Sequence, residues 1–117
     1  MLKKQYRLKN NSAFNATYRI KNSIHKGGVT VFAGLEKKDK SSFTKVGFVV
    51  SKKTHKRAVK RNRLKRLMRE SYRLALKSNE VYNSQKYMSL IFIGGEHALD
   101  KSFDEVQNII MNLIKRL

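Results

Sequence analysis

The sequence predicts an α+β sandwich, a small mixed sheet packed with helices, as a single domain over residues 1–117. Three observations predict it. Two stretches in the first half alternate apolar and polar residues at strand period, and two others repeat apolar residues at helix period. Late in the chain, "YMSLIFI" (Tyr87 to Ile93) is an almost continuous apolar run, as expected of a strand covered on both faces.

Taken in order, Asn11 or Ser12 is the expected cap of a short first helix, on which Phe14 and Tyr18 lie at i and i+4. In "HKGGVTVFAGL", Val29, Val31, Ala33 and Leu35 alternate with Thr30, Phe32 and Gly34, which predicts a strand. "EKKDKSS" reads as a polar loop. "KVGFVVS" predicts a second strand, with Val46, Phe48 and Val50 on one face and Gly47, Val49 and Ser51 on the other. A helix is predicted over about Arg57 to Lys77, and Gly94-Gly95 ends the apolar strand that follows it. Ser102 and Glu105 have capping-box spacing. Phe103, Val106, Ile109, Ile110, Leu113 and Leu117 then define an amphipathic last helix. The strand–helix–strand unit across the middle helix would ordinarily be parallel and right-handed.

Composition narrows the function classes. The formal net charge is +19 on 117 residues, so the domain needs a polyanion: nucleic acid first, an anionic membrane surface second. The absence of cysteine excludes disulfides and thiolate metal sites. No apolar run approaches the ~20 residues of a membrane span, and the start lacks a secretory signal's apolar stretch. A soluble, cytoplasmic protein is expected. Charge is uneven: the first acid is Glu36, and four of the eight acids lie between Glu96 and Glu105. One surface should be far more positive than another.

The middle helix concentrates that charge. Lys52 to Arg73 holds eleven Lys or Arg against one acid, Glu70. At 100° per residue, Leu64, Leu67, Met68, Ser71, Leu74 and Ala75 form one side. Asn62, Arg66, Arg69 and Arg73 form the other, flanked by Arg63 and Lys65, with Arg61 near the boundary. A planar guanidinium grips phosphate through two parallel hydrogen bonds, and Asn62 among the arginines suits a base edge or sugar hydroxyl. Solvated faces usually mix signs to gain i,i+4 pairs, and this one hardly does. The reading is a nucleic-acid face, with an acidic protein or membrane surface as the alternative. Two strands before the basic helix disfavour a helix-turn-helix reader of DNA. Phe14, Tyr18 and Phe32 suit stacking on the bases of a single strand, although core packing would also account for them.

At "KVGFVVSKK…RAVKRNRLKRLMRE" the chain resembles the protein subunit of bacterial ribonuclease P. The resemblance rests on Arg61-Asn62-Arg63 followed by Leu64-Lys65-Arg66 and Arg69, after the strand end at Val46 to Lys53. It extends through "YRLKNNSAF" and the element order to nearly the whole chain. It implies an αβββαβα fold with a left-handed crossover around the basic helix, and an extra strand near Ser23 to Lys26. It also implies two partners, a large catalytic RNA and precursor tRNA, with neither a membrane nor a small-molecule cofactor. The holoenzyme would hydrolyse one phosphodiester bond to release the 5′ leader, using Mg²⁺ held mainly by the RNA subunit and substrate. By position, Lys52, Lys53, Arg57, Arg61, Asn62, Arg63, Lys65, Arg66, Arg69 and Arg73 would contact the catalytic RNA. Phe14, Tyr18, Thr30 and Phe32 would line a cleft for the leader, with Gly47 and Val49 as its floor. Metal contacts of the protein itself are left unassigned. The chain departs from the family pattern at "HKGGV", where many relatives have an "ANRQF"-like stretch. It departs again at Gly94-Gly95, where many have Ala-Arg, and at Val49, where some have Ser.

A self-sufficient nuclease needs carboxylates or histidines converging on a metal or phosphate. His25, His55 and His97 are scattered, and Asp100, Asp104 and Glu105 read as cap and dipole partners of the last helix. No catalytic residue is expected in this chain. A ribosomal or other small basic RNA-binding structural protein is the alternative function.

Overall fold

The computed structural model describes residues 3–39, 42–78 and 84–117, so Lys40 and Ser41 of the expected polar loop lie outside the described residues. The elements are α1 (Asn11–Arg19), β1 (Asn22–Lys26), β2 (Val29–Ala33), β3 (Lys45–Val49), α2 (Ala58–Lys77), β4 (Ser89–Gly94) and α3 (Phe103–Arg116), with short 3-10 turns at Lys4–Tyr6, Ser84–Lys86 and Glu96–Ala98. They form one four-stranded sheet in the order β1-β2-β4-β3. β1, β2 and β4 pair antiparallel; β3 and β4 are parallel, joined through α2. The mixed α+β architecture and the strand expected near Ser23 to Lys26 are both present.

Local chemistry explains most of the boundaries. Gly27 and Gly28 have φ of 57° and 88°, the two positive values that a tight β1–β2 hairpin of primed type requires. This turn fixes the register, pairing Lys26 with Val29, His25 with Thr30 and Ser23 with Phe32. The cap of α1 is Asn10, not Asn11 or Ser12: its side-chain oxygen accepts the Ala13 N–H at 2.8 Å. β2 ends two residues before Leu35, which is 60% exposed. After Ala33 the regular ladder ends, although the Leu35 carbonyl still accepts the Met88 N–H at 2.7 Å, and Leu35 lines a cavity beside α1 with Phe43 and Met88. The late strand starts at Ser89, and Tyr87 makes only an isolated bridge to Glu36.

The register sorts residues onto two faces. Ile24, Val29, Val31, Ala33, Leu90, Phe92, Val46 and Phe48 point to the back, where α2 and α3 cover them. α2 buries Leu64, Met68, Ser71, Tyr72 and Ala75, and α3 buries Val106, Ile109, Ile110, Leu113 and Ile114. The expected α2 stripe is shifted: Leu67 and Leu74 are half-buried, and Tyr72 takes a fully buried place that sequence reading did not assign. Tyr72 is there because its ring packs with Phe48 and Phe92, at centroid distances of 6.2 and 5.8 Å. Phe48 and Phe92 themselves stack at 5.7 Å, nearly parallel. Ser71 is buried because its hydroxyl donates to the Leu67 carbonyl at 2.7 Å.

The capping box of α3 is formed. The Glu105 N–H donates to Ser102 Oγ at 3.2 Å, and the Ser102 N–H donates to Glu105 Oε1 at 3.1 Å. The backbone bond first, and the Ser102 side chain second, hold the Glu105 carboxyl below the usual carboxylate range. A lowered carboxyl pKa adds stability above the unfolded value of about 4.3, and that stability is lost as pH falls through the folded value. Glu105→Ala, which removes the carboxylate that the Ser102 N–H holds, should therefore lower the melting temperature at neutral pH. The difference in melting temperature between the variant and the parent should hold down to about pH 5 and shrink at lower pH. Parallel thermal melts across that range test it; a gap that widens on acidification would contradict the assignment.

Candidate RNA interface

Two surfaces on opposite sides of the sheet carry the residues singled out from sequence. The first is α2 with the turn before it. Thr54 N–H donates to the Ser51 carbonyl at 3.0 Å, closing a turn with Lys52 and Lys53, both exposed, at its centre. Arg57 is the N-cap position of α2, and its N–H donates to His55 Nδ1 at 3.0 Å. Beyond it, Asn62 and Arg66 are exposed and Lys65 and Arg69 half-exposed. Among the described residues, the side chains of Lys52, Lys53, Arg57, Asn62, Lys65, Arg66 and Arg69 make no hydrogen bond or ion pair, so their donors face solvent.

Three arginines of the same set differ. Arg73 binds the Glu70 carboxylate through Nε, at 3.1 and 3.0 Å to the two oxygens, and through Nη2. That hydrogen bond is the main reason the Glu70 carboxyl lies below its usual range. The pair is about one-third exposed, so water screens it and it adds little stability, but it offsets the charge of Arg73. Arg61 Nη1 donates to the carbonyls of His55 and Lys56, both at 2.9 Å. Arg63 donates to the carbonyls of Leu99 (2.9 Å) and Lys101 (3.0 Å), across the junction between α2 and α3. Periodicity assigned these residues to a face correctly, but it carries no signal of what lies beside that face.

The second surface is the front of the sheet. The register brings Phe32, Ile91 and Gly47 into one row, and Thr30, Ile93 and Val49 into the next. α1 lies over the first row. Thr17 Oγ1 and Ser89 Oγ are 2.6 Å apart, which fixes the helix to β4. Tyr18 meets Phe32 edge to face at 5.1 Å. Burial pushes the Tyr18 hydroxyl pKa up. Phe14 sits directly on Gly47: a Cβ there would lie 2.5 Å from the ring's Cζ. Gly47 is thus the seat of the Phe14 ring. The second row stays open, with Thr30, Ile93 and Val49 half-buried beside α1. All six residues named for the cleft therefore share one face.

That face also holds His25, which sequence reading passed over as scattered. Its Nδ1 is 2.8 Å from Thr30 Oγ1, at the edge of the open row. The signal was present in "HKGGVT", because a two-residue Gly-Gly turn pairs residues five apart. Three of the acids are committed elsewhere: Asp100 to Lys60 at 3.6 Å, Glu105 to the capping box, Glu70 to Arg73. Among the described residues no three His, Asp or Glu side chains are grouped to hold a metal ion, and no helix is long and apolar enough to cross a membrane.

The chain matches the family model described as Ribonuclease P over residues 2–117. It belongs to that family. It is 35% identical to the ribonuclease P protein component of Clostridium kluyveri, over 95% of this chain and 93% of that one. It is 34% identical to the component of Alkaliphilus oremlandii, over 95% and 90%. Among solved structures, it superposes on the Staphylococcus aureus RNase P protein with a TM-score of 0.74, at 27% identity, over 97% of this chain and 95% of the other. The Thermotoga maritima RNase P protein, solved in complex with 1-(4-fluorophenyl)-2-thiourea, shares the fold at TM-score 0.76 and 23% identity, over 95% and 99%. The ribosomal alternative gives way to these matches. As a ribonuclease P protein component, the chain is a subunit of a ribonucleoprotein tRNA-processing endoribonuclease, and the family implies an RNA subunit as its partner.

The seat of Phe14 gives a direct test of the cleft's construction. Gly47→Ala should destabilise the protein by about 1–3 kcal/mol through overpacking against Phe14. With Phe14→Ala already in place, the same change should cost much less, because the clash is gone. Denaturant unfolding of the two single variants and the double variant checks this; strictly additive costs would show that Phe14 does not sit on Gly47.

Proposed function

We propose that this chain uses its two surfaces for two RNAs: the catalytic RNA of ribonuclease P on α2 and the preceding turn, and the single-stranded 5′ leader of precursor tRNA in the front cleft. The observation that carries this reading is the chemical difference between the faces. α2 presents unpaired cations at helical spacing, suited to the phosphates of a folded RNA. The front presents half-buried rings and a polar pair on a flat floor, suited to unstacked bases. Lys52, Lys53, Arg57, Asn62, Lys65, Arg66 and Arg69 are the direct contacts on the first face. Phe14, Tyr18, Phe32, Thr30 and Val49 are those on the second.

The reaction is hydrolysis of one phosphodiester bond, separating the leader from the mature 5′ end. Mg²⁺ held by the RNA subunit and substrate supplies the hydrolytic chemistry. In this chain Glu70, Asp100 and Glu105 are engaged in ion pairs and a helix cap, and among the described residues no three His, Asp or Glu side chains are grouped to hold an ion. The protein's part is to bind the leader and to screen phosphate repulsion between the two RNAs. In this reading it works in the cytoplasm, where precursor tRNA is made.

Two measurements test the proposal. Purified protein alone should leave precursor tRNA intact, and adding a cognate catalytic RNA with Mg²⁺ should give accurate 5′ cleavage faster than that RNA alone at moderate salt. Metal-dependent cleavage by the protein alone, abolished by Asp100→Asn or Glu105→Gln, would place the chemistry in this chain instead.

Phe32→Ala tests the cleft. Stacking of one aromatic is worth about 1–3 kcal/mol per base, so the holoenzyme's affinity for precursor tRNA should fall several-fold or more. Affinity for mature tRNA, which has no leader, should hardly change. A purely core role forecasts a stability loss of about 3–5 kcal/mol and equal weakening of both ligands. Both affinities and the melting temperature of the same variant separate the two.

A further inference from the structure

We infer that Arg61 and Arg63 are positioning residues that set the basic face of α2, and that within the Arg61-Asn62-Arg63 tripeptide only the Asn62 side chain has no partner among the described residues. The inference rests on the RNA-binding reading of α2 and divides labour within it. Each arginine ends on a pair of backbone carbonyls. Arg63 reaches the carbonyls of Leu99 and Lys101 through its two terminal nitrogens, at 2.9 and 3.0 Å. Leu99 is buried, and Lys101 directly precedes Ser102, the cap of α3. The fork that would grip a phosphate bidentately is therefore closed on the turn that starts α3. Beside it, Lys60 pairs with Asp100 of the same turn at 3.6 Å. Arg61 reaches the His55 and Lys56 carbonyls, both at 2.9 Å, just before the start of α2. That bond holds the segment following Lys52 and Lys53, while the Arg57 N–H ties back to His55 Nδ1 at 3.0 Å.

The two struts hold opposite flanks of the first turns of α2. One sets the helix against α3, and the other sets the Lys52–Lys53 turn against the helix. A lysine replaces neither: at Arg63 one ammonium cannot span two carbonyls that are reached by two different nitrogens of a planar fork, and at Arg61, where both bonds leave Nη1, an ammonium ends one bond short of that nitrogen. Arg66 and Arg69, one and two turns further on, have no such partners among the described residues. Both kinds of arginine add to the positive field, but only the second kind has all its donors open to phosphate.

The test compares charge with geometry. Affinity for the catalytic RNA is measured against salt concentration, well below the melting temperature, for Arg61→Lys, Arg63→Lys, Arg63→Gln and Arg66→Gln. The two lysine variants keep the charge but lose the reach of Arg61 Nη1 or the fork of Arg63. They should bind roughly three- to tenfold more weakly, the loss expected for broken hydrogen bonds, with the parent's log-log salt slope. Arg63→Gln should behave like Arg63→Lys. Arg66→Gln should lower the slope by about 0.7–0.9, the mark of one lost phosphate contact. Parent-like affinity in both lysine variants, with or without a lower melting temperature, would overturn the positioning role. So would a slope change in Arg63→Gln equal to that of Arg66→Gln. An unchanged slope in Arg66→Gln would instead overturn the RNA-binding reading of α2, and the positioning role with it.

Discussion

Burial of β4 on both faces is the constraint on which the rest of the structure depends. Leu90, Ile91 and Phe92 have no solvent exposure. Three consecutive residues of a strand can be fully buried only if both faces and both edges are covered. β2 and β3 cover the edges, α2 and α3 the back, and α1 the front through Thr17 and Ser89. Side chains of this size contribute about 1.5–3 kcal/mol each when fully buried, so the strand is a large share of the core. Every functional element is thereby fixed to one rigid strand, from opposite sides.

That rigidity makes the charge tolerable. A formal +19 opposes compaction, and most of it lies on exposed surface where water screens it. Close to α2 the chain adds local compensation. Glu70 meets Arg73, Asp100 meets Lys60, and backbone carbonyls receive Arg61 and Arg63. Carbonyl oxygens carry partial negative charge, so the two struts ease repulsion without cancelling a full charge. What remains unpaired on α2 is a shorter set than the sequence suggests, Asn62, Lys65, Arg66 and Arg69 without Arg61, Arg63 and Arg73.

The legible and illegible parts of the fold divide by range. Alternation in "VTVFA" and "KVGFV", the capping box at Ser102, and the helix period of α2 are local patterns, and each corresponds to an observed element. The errors are of two kinds. Leu35 continues the alternation of β2 on paper, yet the regular ladder with β4 ends at the Ala33–Leu90 pair and Leu35 keeps only a backbone bond to Met88, which only the pairing reveals. Tyr72 lies at the margin of the apolar stripe by angle, but Phe48 and Phe92 from two strands make a place for its ring. The same limit applies to the site. The cleft residues were placed on shared faces because strand and helix periods are local. Arg63 bonding to residues 36 and 38 positions away is a tertiary fact, and nothing in the tripeptide itself distinguishes it from Arg66.

The two candidate surfaces do not touch, yet one strand links them. β3 is five residues long and alternates: Gly47 faces the front, under Phe14 of α1, and Phe48 faces the back, against Tyr72 of α2. Groups more than ~7–10 Å apart with no shared partner behave independently in energy. Residues adjacent on a strand do not meet that condition, because one shift of the backbone moves both. A displacement of Phe14 by bound leader would therefore press on Gly47 and pass through β3 to the seat of Tyr72. Any energetic coupling between the cleft and the basic helix has its shortest path there, through a strand laddered to β4 on one edge and held on the other, among the described residues, only at Val46, whose carbonyl accepts the Leu8 N–H at 3.0 Å. A central strand such as β4, clamped by neighbours on both edges, is much less able to yield. The geometry thus makes the edge strand, rather than the sheet as a whole, the element in which the two faces of the molecule meet.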